Sequence, residues 1–445
     1  MDVFSEFEWR GVVYDATEGV REALATGSVT AYAGFDPTAS SLHVGSLMQI
    51  MALARLQKYG HSPIAVVGGG TGLIGDPSGK SAERTLQTPE QVDVNVQGIR
   101  AQLSRFLDFD AASNPARLVN NADWLTRLSA MEFLRDVGKH FTVNYILAKE
   151  SVKRRLESED GISYTEFSYL LLQAYDFLEL HDRFNCTLQV GGSDQWGNIT
   201  AGCDLIRRLR GVKAQGLVSP LVTTASGTKF GKTEAGTIWL DAGRTSPFRF
   251  YQFWLNTEDT DAIRYLKFFT DLDAAAIEEL GRGMAVAPEA RAAQRTLARE
   301  VTRIVHGPAH VERAERTSSV LFGEDIATLP LEDVLAVFED APSTEVHADE
   351  FAGEGMSMID LLARVQLAPS KSEARRLVQS GGVYVNNRRV SDSQARLTRA
   401  EALGGRLFIV RKGQRQQHLV KMVERPIAGD SRGSAPGVDR AASDP

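Results

Sequence analysis

Short apolar runs that end abruptly in glycine clusters recur along this 445-residue chain and leave it few architectures. Pro63-Ile64-Ala65-Val66-Val67 runs into Gly68-Gly69-Gly70, and Leu188-Gln189-Val190 into Gly191-Gly192-Ser193-Asp194-Gln195. A short uninterrupted apolar stretch marks a strand buried on both faces, as in a parallel sheet covered by helices. Val29 to Ala33 leads into Gly34-Phe35-Asp36-Pro37. Ser40-Ser41-Leu42 is then expected to cap a helix whose apolar positions continue through Leu47, Ile50, Met51 and Leu56, and a further helical run spans Ile199 to Leu209. The alternation predicts an α/β fold with a parallel sheet, and ligands at the carboxyl ends of its strands.

The length exceeds one ordinary domain, and the pattern divides it. Residues 1–245 hold the glycine-ended strands and a lysine-bearing loop over 226–236. The pattern then turns helical, predicting a helical domain over 246–329, followed by a weakly structured linker over 330–354. Residues 355–424 carry thirteen Lys and Arg against five Asp and Glu, a surplus of +8 that leaves −15 for the rest of a chain whose net charge is −7. Such a surplus in one segment suits a polyanion. Residues 425–445 are too poor in apolar surface to order themselves, so a disordered tail is expected. Cys186 and Cys203 are the only cysteines and lack metal-type spacing, which points to a reducing compartment with no disulfide and no structural zinc. His181, His306, His310 and His418 show no ligand spacing either and are assigned to surface or satisfied core positions. No stretch stays apolar long enough to span a bilayer, so no membrane contact and a cytoplasmic location are expected.

Two motifs far apart in the chain suit a triphosphate. In His43-Val44-Gly45-Ser46 a histidine opens a helix, where free backbone N–H groups and the positive dipole end favour phosphate, and Gly45 admits a nucleotide to the backbone. Lys229-Phe230-Gly231-Lys232-Thr233 sits in a glycine-punctuated loop able to bring cations onto β- and γ-phosphates. Each alone is a common turn; the pair together suggests ATP activation. Gly70-Thr71-Gly72-Leu73-Ile74-Gly75 fits a dinucleotide pattern, but Asp76-Pro77-Ser78-Gly79 makes a turn where its helix should continue. Gly75 and Gly79 are one residue too close for the phosphate loop that ends in Gly-Lys-Ser. What remains is a strand end presenting Asp76, a carboxylate suited to an ammonium group. Tyr169, Gln173 and Asp176 share one helical face amid leucines, a polar stripe that needs a partner. Gly191-Gly192-Ser193-Asp194 places an acceptor carboxylate beside exposed backbone, as a ribose hydroxyl requires.

Taken together these residues resemble the bacterial tyrosyl-tRNA synthetases, class I aminoacyl-tRNA synthetases. Tyr32-Ala33-Gly34-Phe35-Asp36-Pro37-Thr38 with His43-Val44-Gly45-Ser46 resembles the family's first signature, and Lys229-Phe230-Gly231-Lys232-Thr233 its second. Gly75 to Gly79, Asn121-Ala122-Asp123-Trp124, Gln173 to Phe177 and Gly192 to Asn198 also match. Pro369 to Val378 and Gly381 to Asn386 resemble the S4 RNA-binding fold.

The resemblance implies a Rossmann-like catalytic domain, a helical domain and an S4-type RNA-binding domain over 355–424. It assigns Tyr32 and Asp176 to a substrate phenol, and Asp76, Tyr169 and Gln173 to its ammonium group. Asp36, Asn121 and Gln195 fall in the amino acid's neighbourhood. Gly34, Gly45, Gly191, Gly192 and Asp194 go to ATP, with Thr38, His43, Ser46, Lys229, Lys232 and Thr233 at the phosphates. Lys371, Arg375, Arg376, Arg388 and Arg389 face RNA. ATP with Mg2+, tyrosine, tRNA(Tyr) and a second copy of the chain are the implied partners. Two positions depart from the family's commonest pattern. Ser46 stands where many relatives have histidine or asparagine, and Ala33 replaces a polar or thiol-bearing residue, so it makes no side-chain bond to ribose.

The implied reaction is attack of the tyrosine carboxylate on the α-phosphate, then transfer to the terminal ribose of tRNA. A carboxylate is already a nucleophile, so alignment and cations around the leaving pyrophosphate carry the first step. Selection against phenylalanine rests on buried groups left unpaired, a rule for which this enzyme class is itself the standard case. Two competing readings are an RNA-binding scaffold that lost the reaction and a nicotinamide dehydrogenase built on Gly70 to Gly75.

Overall fold

The computed structural model describes residues 2–78, 86–157, 161–223, 230–233, 236–322, 326, 329–338, 341–413 and 416–424. Two compact units emerge, 1–314 and 315–445.

In the first unit a six-stranded sheet comprises β1 (Asp15–Ala16), β2 (Thr30–Phe35), β3 (Ser62–Val67), β4 (Arg117–Asn120), β5 (Cys186–Gly192) and β6 (Gln215–Ser219). Their order is β1-β6-β5-β2-β3-β4, parallel throughout except for β1, which pairs antiparallel with β6. Alternation along each strand feeds two cores. Ala31, Ala33 and Phe35 join one apolar cluster with Ala65, Val67, Leu188 and Val190, while Tyr32, Ile64 and Val66 join the other. The first cluster also receives the helix Leu47–Lys58, and the second the helices Tyr164–Phe184 and Trp196–Arg210. Helices on both faces explain why the strands read as continuous apolar runs. The chain leaves β2 toward β3 and β4, then returns to the other side of β2 at β5, which opens a crevice at the carboxyl ends of β2 and β5.

The helical stretch beyond Pro247 is not a body of its own. Phe250, Trp254, Tyr265, Phe269 and Leu297 lie in the same apolar cluster as β2 and β3, and the unit runs on to residue 314. Amphipathic periodicity reports that a helix buries a face, but not which neighbour it buries it against. Among the histidines assigned above, His181 Nδ1 reaches the Cys186 carbonyl at 3.1 Å and His418 Nε2 the Thr344 hydroxyl at 2.8 Å. His306 differs: its buried Nε2 has no partner among the described residues, and burial pushes its pKa down to about 4.

The two-residue strands β7 (Lys232–Thr233) and β8 (Gly236–Thr237) form a ribbon of their own. In the second unit β9 (Ser343–His347), β11 (Val383–Val385), β12 (Arg388–Val390), β14 (Leu407–Lys412) and β15 (Gln416–Val423) make a sheet in the order β12-β11-β14-β15-β9, with β10 (Met356–Ser357) and β13 (Arg396–Leu397) paired beside it. Asn386 and Asn387, both at positive φ, form the two-residue turn between β11 and β12. The helices Met358–Arg364 and Lys371–Gln379 complete a core of Phe351, Leu361, Val378, Val383, Phe408 and Val420.

The expected linker over 330–354 is therefore structured. It carries the helix Leu331–Val337, strand β9, which pairs parallel with β15, and the buried Val346 and Phe351. Strand β9 itself offers almost no apolar pattern, because it is an edge strand that turns only Val346 fully inward. Residues 341–424 hold thirteen basic against nine acidic residues, a surplus of +4, half that of the segment starting at 355, and the unit as a whole, 315–445, has seventeen against nineteen, a net −2. The tail expected to be disordered, 425–445, lies outside the described residues.

Candidate active site

A cavity of about 330 Å³ opens at the carboxyl ends of β2 and β5. Gly34 and Asp36 reach it from the end of β2, Asp76 from the turn after β3, Gly191 and Gly192 from β5, and Tyr169, Gln173 and Asp176 from the helix Tyr164–Phe184. Tyr32, Thr38, His43, Gly45, Ser46, Asn121, Asp194 and Gln195 line it too. That helix is set by Ser163, whose hydroxyl accepts from the Glu166 amide at 3.2 Å, and ends at Asn185 in the left-handed region. With both ends fixed, the four- and three-residue spacings turn all three polar groups to the cavity.

The deep end is built around Asp176. Its Oδ1 accepts from Trp124 Nε1 at 2.7 Å and its Oδ2 from Asn121 Nδ2 at 2.9 Å. Burial pushes its pKa up to about 7 against those two donors. Asn121 is itself held by the Gly70 amide and donates to Thr71, Thr71 donates to Asp36 Oδ1 at 3.1 Å, and the Tyr169 hydroxyl donates to Asp36 Oδ2 at 3.1 Å. Tyr32 is 2% exposed, packs edge-on against Phe177, and its hydroxyl has no partner among the described residues. Burial, then the nearby Asp176 charge, raises the pKa of that hydroxyl.

Midway, Asp76 Oδ1 accepts from the Ser78 amide at 2.9 Å and Oδ2 from Gln195 Nε2 at 2.7 Å. The Asn198 amide donates to Gln173 Oε1 at 2.9 Å and Gln195 Oε1 at 3.1 Å, which fixes the orientation of both glutamines. Carboxylates at 36, 76 and 176 with no lysine or arginine among the described lining residues favour a cation here.

At the mouth, the helix does not start at Ser40-Ser41-Leu42. Ser41 instead donates to the Leu42 carbonyl and accepts from Gln102 and the Asp241 amide. The cap is His43, exposed, whose Nδ1 accepts from the Gly45 amide at 3.0 Å ahead of the 3-10 turn Val44–Ser46. A neutral ring so bonded carries its proton on Nε2, a donor at the positive end of the helix. The second signature lies against the first. Gly231 has φ 78°, and a Cβ there would sit 2.5 Å from Val44 Cγ2. The Val44 amide donates to the Ile238 carbonyl at 3.0 Å, and the Ile238 amide to that of Gly231 at 3.0 Å. Phe230 anchors the segment among Phe253, Trp254, Tyr265 and Phe269, with ring centroids 5.0 to 5.6 Å away. Lys229 lies outside the described residues, and for Lys232 and Thr233 the backbone alone is described.

Gly70 to Gly75 does not open a helix: a 3-10 turn at Thr71–Leu73 leads into the Asp76 turn, and the next helix described begins at Pro89. The dinucleotide reading fails for that reason. Residues without an assigned role also take part: Trp124, Thr71 and Asn198 hold the carboxylates and glutamines, and Gln49 and Gln189 line the cavity. A glutamine inside the buried strand β5 was the legible signal for Gln189. In the second unit Lys371, Arg375, Arg376, Arg388 and Arg389 are all exposed. Lys371 pairs with Asp360 at 2.7 Å, and Arg389 Nε donates to the Gly381 carbonyl at 2.8 Å.

The family described as tRNA synthetases class I (W and Y) matches residues 24–323, and that described as the tyrosine–tRNA ligase SYY-like C-terminal domain matches residues 333–420. The tyrosine–tRNA ligase of Roseiflexus castenholzii is 56% identical over 421 residues, covering 95% of this chain and 99% of that protein. That of Geobacillus stearothermophilus is 53% identical over 424 residues, covering 95% and 100%. Among solved structures, a C-terminally truncated mitochondrial tyrosyl-tRNA synthetase from Aspergillus nidulans aligns with a TM-score of 0.66 at 30% identity, covering 72% of this chain and 94% of that one.

Proposed function

The chain belongs to the tyrosine–tRNA ligases of class I, and from that membership we propose how its residues divide the work. It activates tyrosine with ATP to tyrosyl-adenylate and transfers the tyrosyl group to the 3′ end of tRNA(Tyr). The substrate phenol enters the deep end, donating to Asp176 and meeting the Tyr32 hydroxyl. Its ammonium group lies among Asp76, Tyr169 and Gln173, with Asp36, Asn121 and Gln195 holding that wall. Its carboxylate then points to the mouth, where the ATP α-phosphate is presented. Gly192 and Asp194 take the ribose, with Gly34, Gly45 and Gly191 admitting the nucleotide to the backbone. Thr38, His43, Ser46, Lys229, Lys232 and Thr233 take the phosphates, with Mg2+ arriving as part of the ATP substrate.

In this reading one oxygen of the tyrosine carboxylate forms a bond to the α-phosphorus while the bond to the β-phosphate oxygen breaks, and the electron pair leaves on pyrophosphate. No proton moves. His43 Nε2–H, with the positive end of the helix dipole behind it, meets charge that grows on the leaving group, so it acts in the transition state more than in the ground state. Exposed Lys371, Arg375, Arg376, Arg388 and Arg389 hold tRNA phosphates, a homodimer forms, and the enzyme works in the cytoplasm. No described helix is long and apolar enough to cross a membrane.

The observation that carries the substrate assignment is the pairing at the closed end. A carboxylate with two fixed donors sits beside a buried, unpartnered hydroxyl, and a phenol O–H completes both. Pyrophosphate exchange kinetics with tyrosine and phenylalanine test it. Tyr32→Phe should lower the preference for tyrosine by about tenfold, the worth of one hydrogen bond, with the KM for ATP unmoved. An unchanged preference would contradict the assignment.

A further inference from the structure

The stretch Asp36–Leu42 crosses the mouth of the cavity between β2 and the 3-10 turn Val44–Ser46 with no strand or helix of its own, yet Thr38, Ser41, Leu42 and His43 all line the cavity. A loop with that duty needs its backbone held from outside. One face of the helix Pro89–Leu103 holds it. Asn95, Gly98 and Gln102 follow at spacings of three and four, one above the other on that helix, and both amide side chains are buried. Asn95 Nδ2 donates to the Pro37 carbonyl at 2.9 Å and to Gln87 Oε1 at 3.1 Å, and Gln87 Nε2 in turn donates to the Thr38 carbonyl at 3.0 Å. Gln102 Oε1 accepts from the Leu42 amide at 2.8 Å while its Nε2 donates to the Ser41 hydroxyl at 2.9 Å, so both ends of the side chain are used and the amide cannot be flipped.

Gly98 is a poor residue for a helix interior on propensity alone. The loop explains it: a Cβ at this position would overlap the carbonyl oxygen of Ser40. The clashing atom is backbone, so no change of rotamer relieves it. From the far side the Asp241 amide donates to the Ser41 hydroxyl at 3.2 Å and the Leu240 amide to the Leu42 carbonyl at 2.9 Å. The loop is therefore gripped between this helix and the segment that follows the second signature. We infer that Asn95, Gly98 and Gln102 form a positioning face that sets the loop bearing Thr38 and His43 against the phosphates of ATP. The inference rests on the ATP reading above. None of the three is among the described lining residues, so they act through the loop and not on the substrate. The tyrosine end is held by other side chains, Asn121, Trp124 and Asn198, so loosening this face should slow adenylate formation and spare tyrosine binding.

The test measures single-turnover adenylate formation at saturating tyrosine and ATP, together with equilibrium tyrosine binding, in the wild type, Gly98→Ala, Gln102→Met and the double variant. A single-turnover rate constant does not depend on how much of the protein is folded, so a destabilised variant still reports. Val94→Ala, at an exposed position of the same helix, is the control and should match the wild type. Each single variant should form adenylate about ten- to a hundredfold more slowly with tyrosine affinity unchanged. The double variant should be little slower than the worse single one, because both residues work through one loop. Wild-type rates in Gly98→Ala and Gln102→Met overturn the inference. So does a loss of tyrosine affinity that matches the loss of rate, which marks general damage, and so does a double variant whose loss is the full product of the two. Wild-type protein that forms no adenylate would defeat the ATP reading itself, and this inference with it.

Discussion

Asp176 shows how one carboxyl combines folding stress with recognition. Burial raises its pKa from 3.8 to about 7, so the folded state binds this proton more tightly than the unfolded state does. Stability from this group is accordingly greatest at acid pH and falls as the pH rises from about 4 to about 7. Asp176→Asn should flatten that stretch of the stability curve in denaturant titrations. Affinity for tyrosine should move the opposite way, rising as the pH passes about 7, because the ionised carboxylate accepts from Trp124, Asn121 and the phenol together. A tyrosine KM that is flat across pH 6 to 8 would contradict this. Tyr169, Gln173 and Asp176 were legible in the sequence because helical spacing alone puts them on one face. Asn198, Thr71 and Trp124 were not assigned roles: each acts through another side chain, and Gln173, Asp36 and Asp176, the partners they hold, are distant in the chain.

The glycine-ended strands β2 and β5 were legible as elements, since a strand buried on both faces leaves a continuous apolar run and its turn needs glycine. The start of the helix after β2 was misread because a histidine ring, rather than a serine hydroxyl, caps it. Edge strand β9 was missed for the converse reason, having almost no apolar pattern to read. The contact between the two signatures could not be read at all, since it depends on Gly231 lying against Val44. Gly231→Val adds a side chain where φ is 78° and Val44 already fills the space, so adenylate formation should fall sharply while equilibrium tyrosine binding holds. Phe230→Ala empties the aromatic cage and should destabilise the fold by about 3–5 kcal/mol in urea melts. A Gly231→Val enzyme with normal single-turnover adenylate formation would show that the two signatures act independently.

At the scale of the whole molecule, the second unit has no bulk surplus, its +4 over 341–424 falling to −2 over 315–445, so tRNA binding has to come from the placement of its cations rather than from bulk charge. Arg375→Ala with Arg376→Ala should leave pyrophosphate exchange intact. It should weaken tRNA binding and reduce the slope of log affinity against log salt by about 0.7–0.9 for each phosphate no longer neutralised. Met131, Leu134, Val143, Leu156 and Tyr164 are all exposed large apolar side chains within one stretch of the first unit, the kind of surface a second copy would cover. Met131→Asp with Leu134→Asp should shift the sedimentation of the protein from dimer to monomer; unchanged sedimentation would move the interface elsewhere. The central claim is that strand ends far apart in the chain form one cleft for a phenolic amino acid beside a nucleotide. A crystal structure with a non-hydrolysable tyrosyl-adenylate analogue tests it most directly. The account predicts the phenol oxygen within hydrogen-bond distance of both Asp176 and Tyr32, with the ribose over Gly192 and Asp194. An analogue bound with its phenol at the His43 mouth, or outside this cavity, would contradict it.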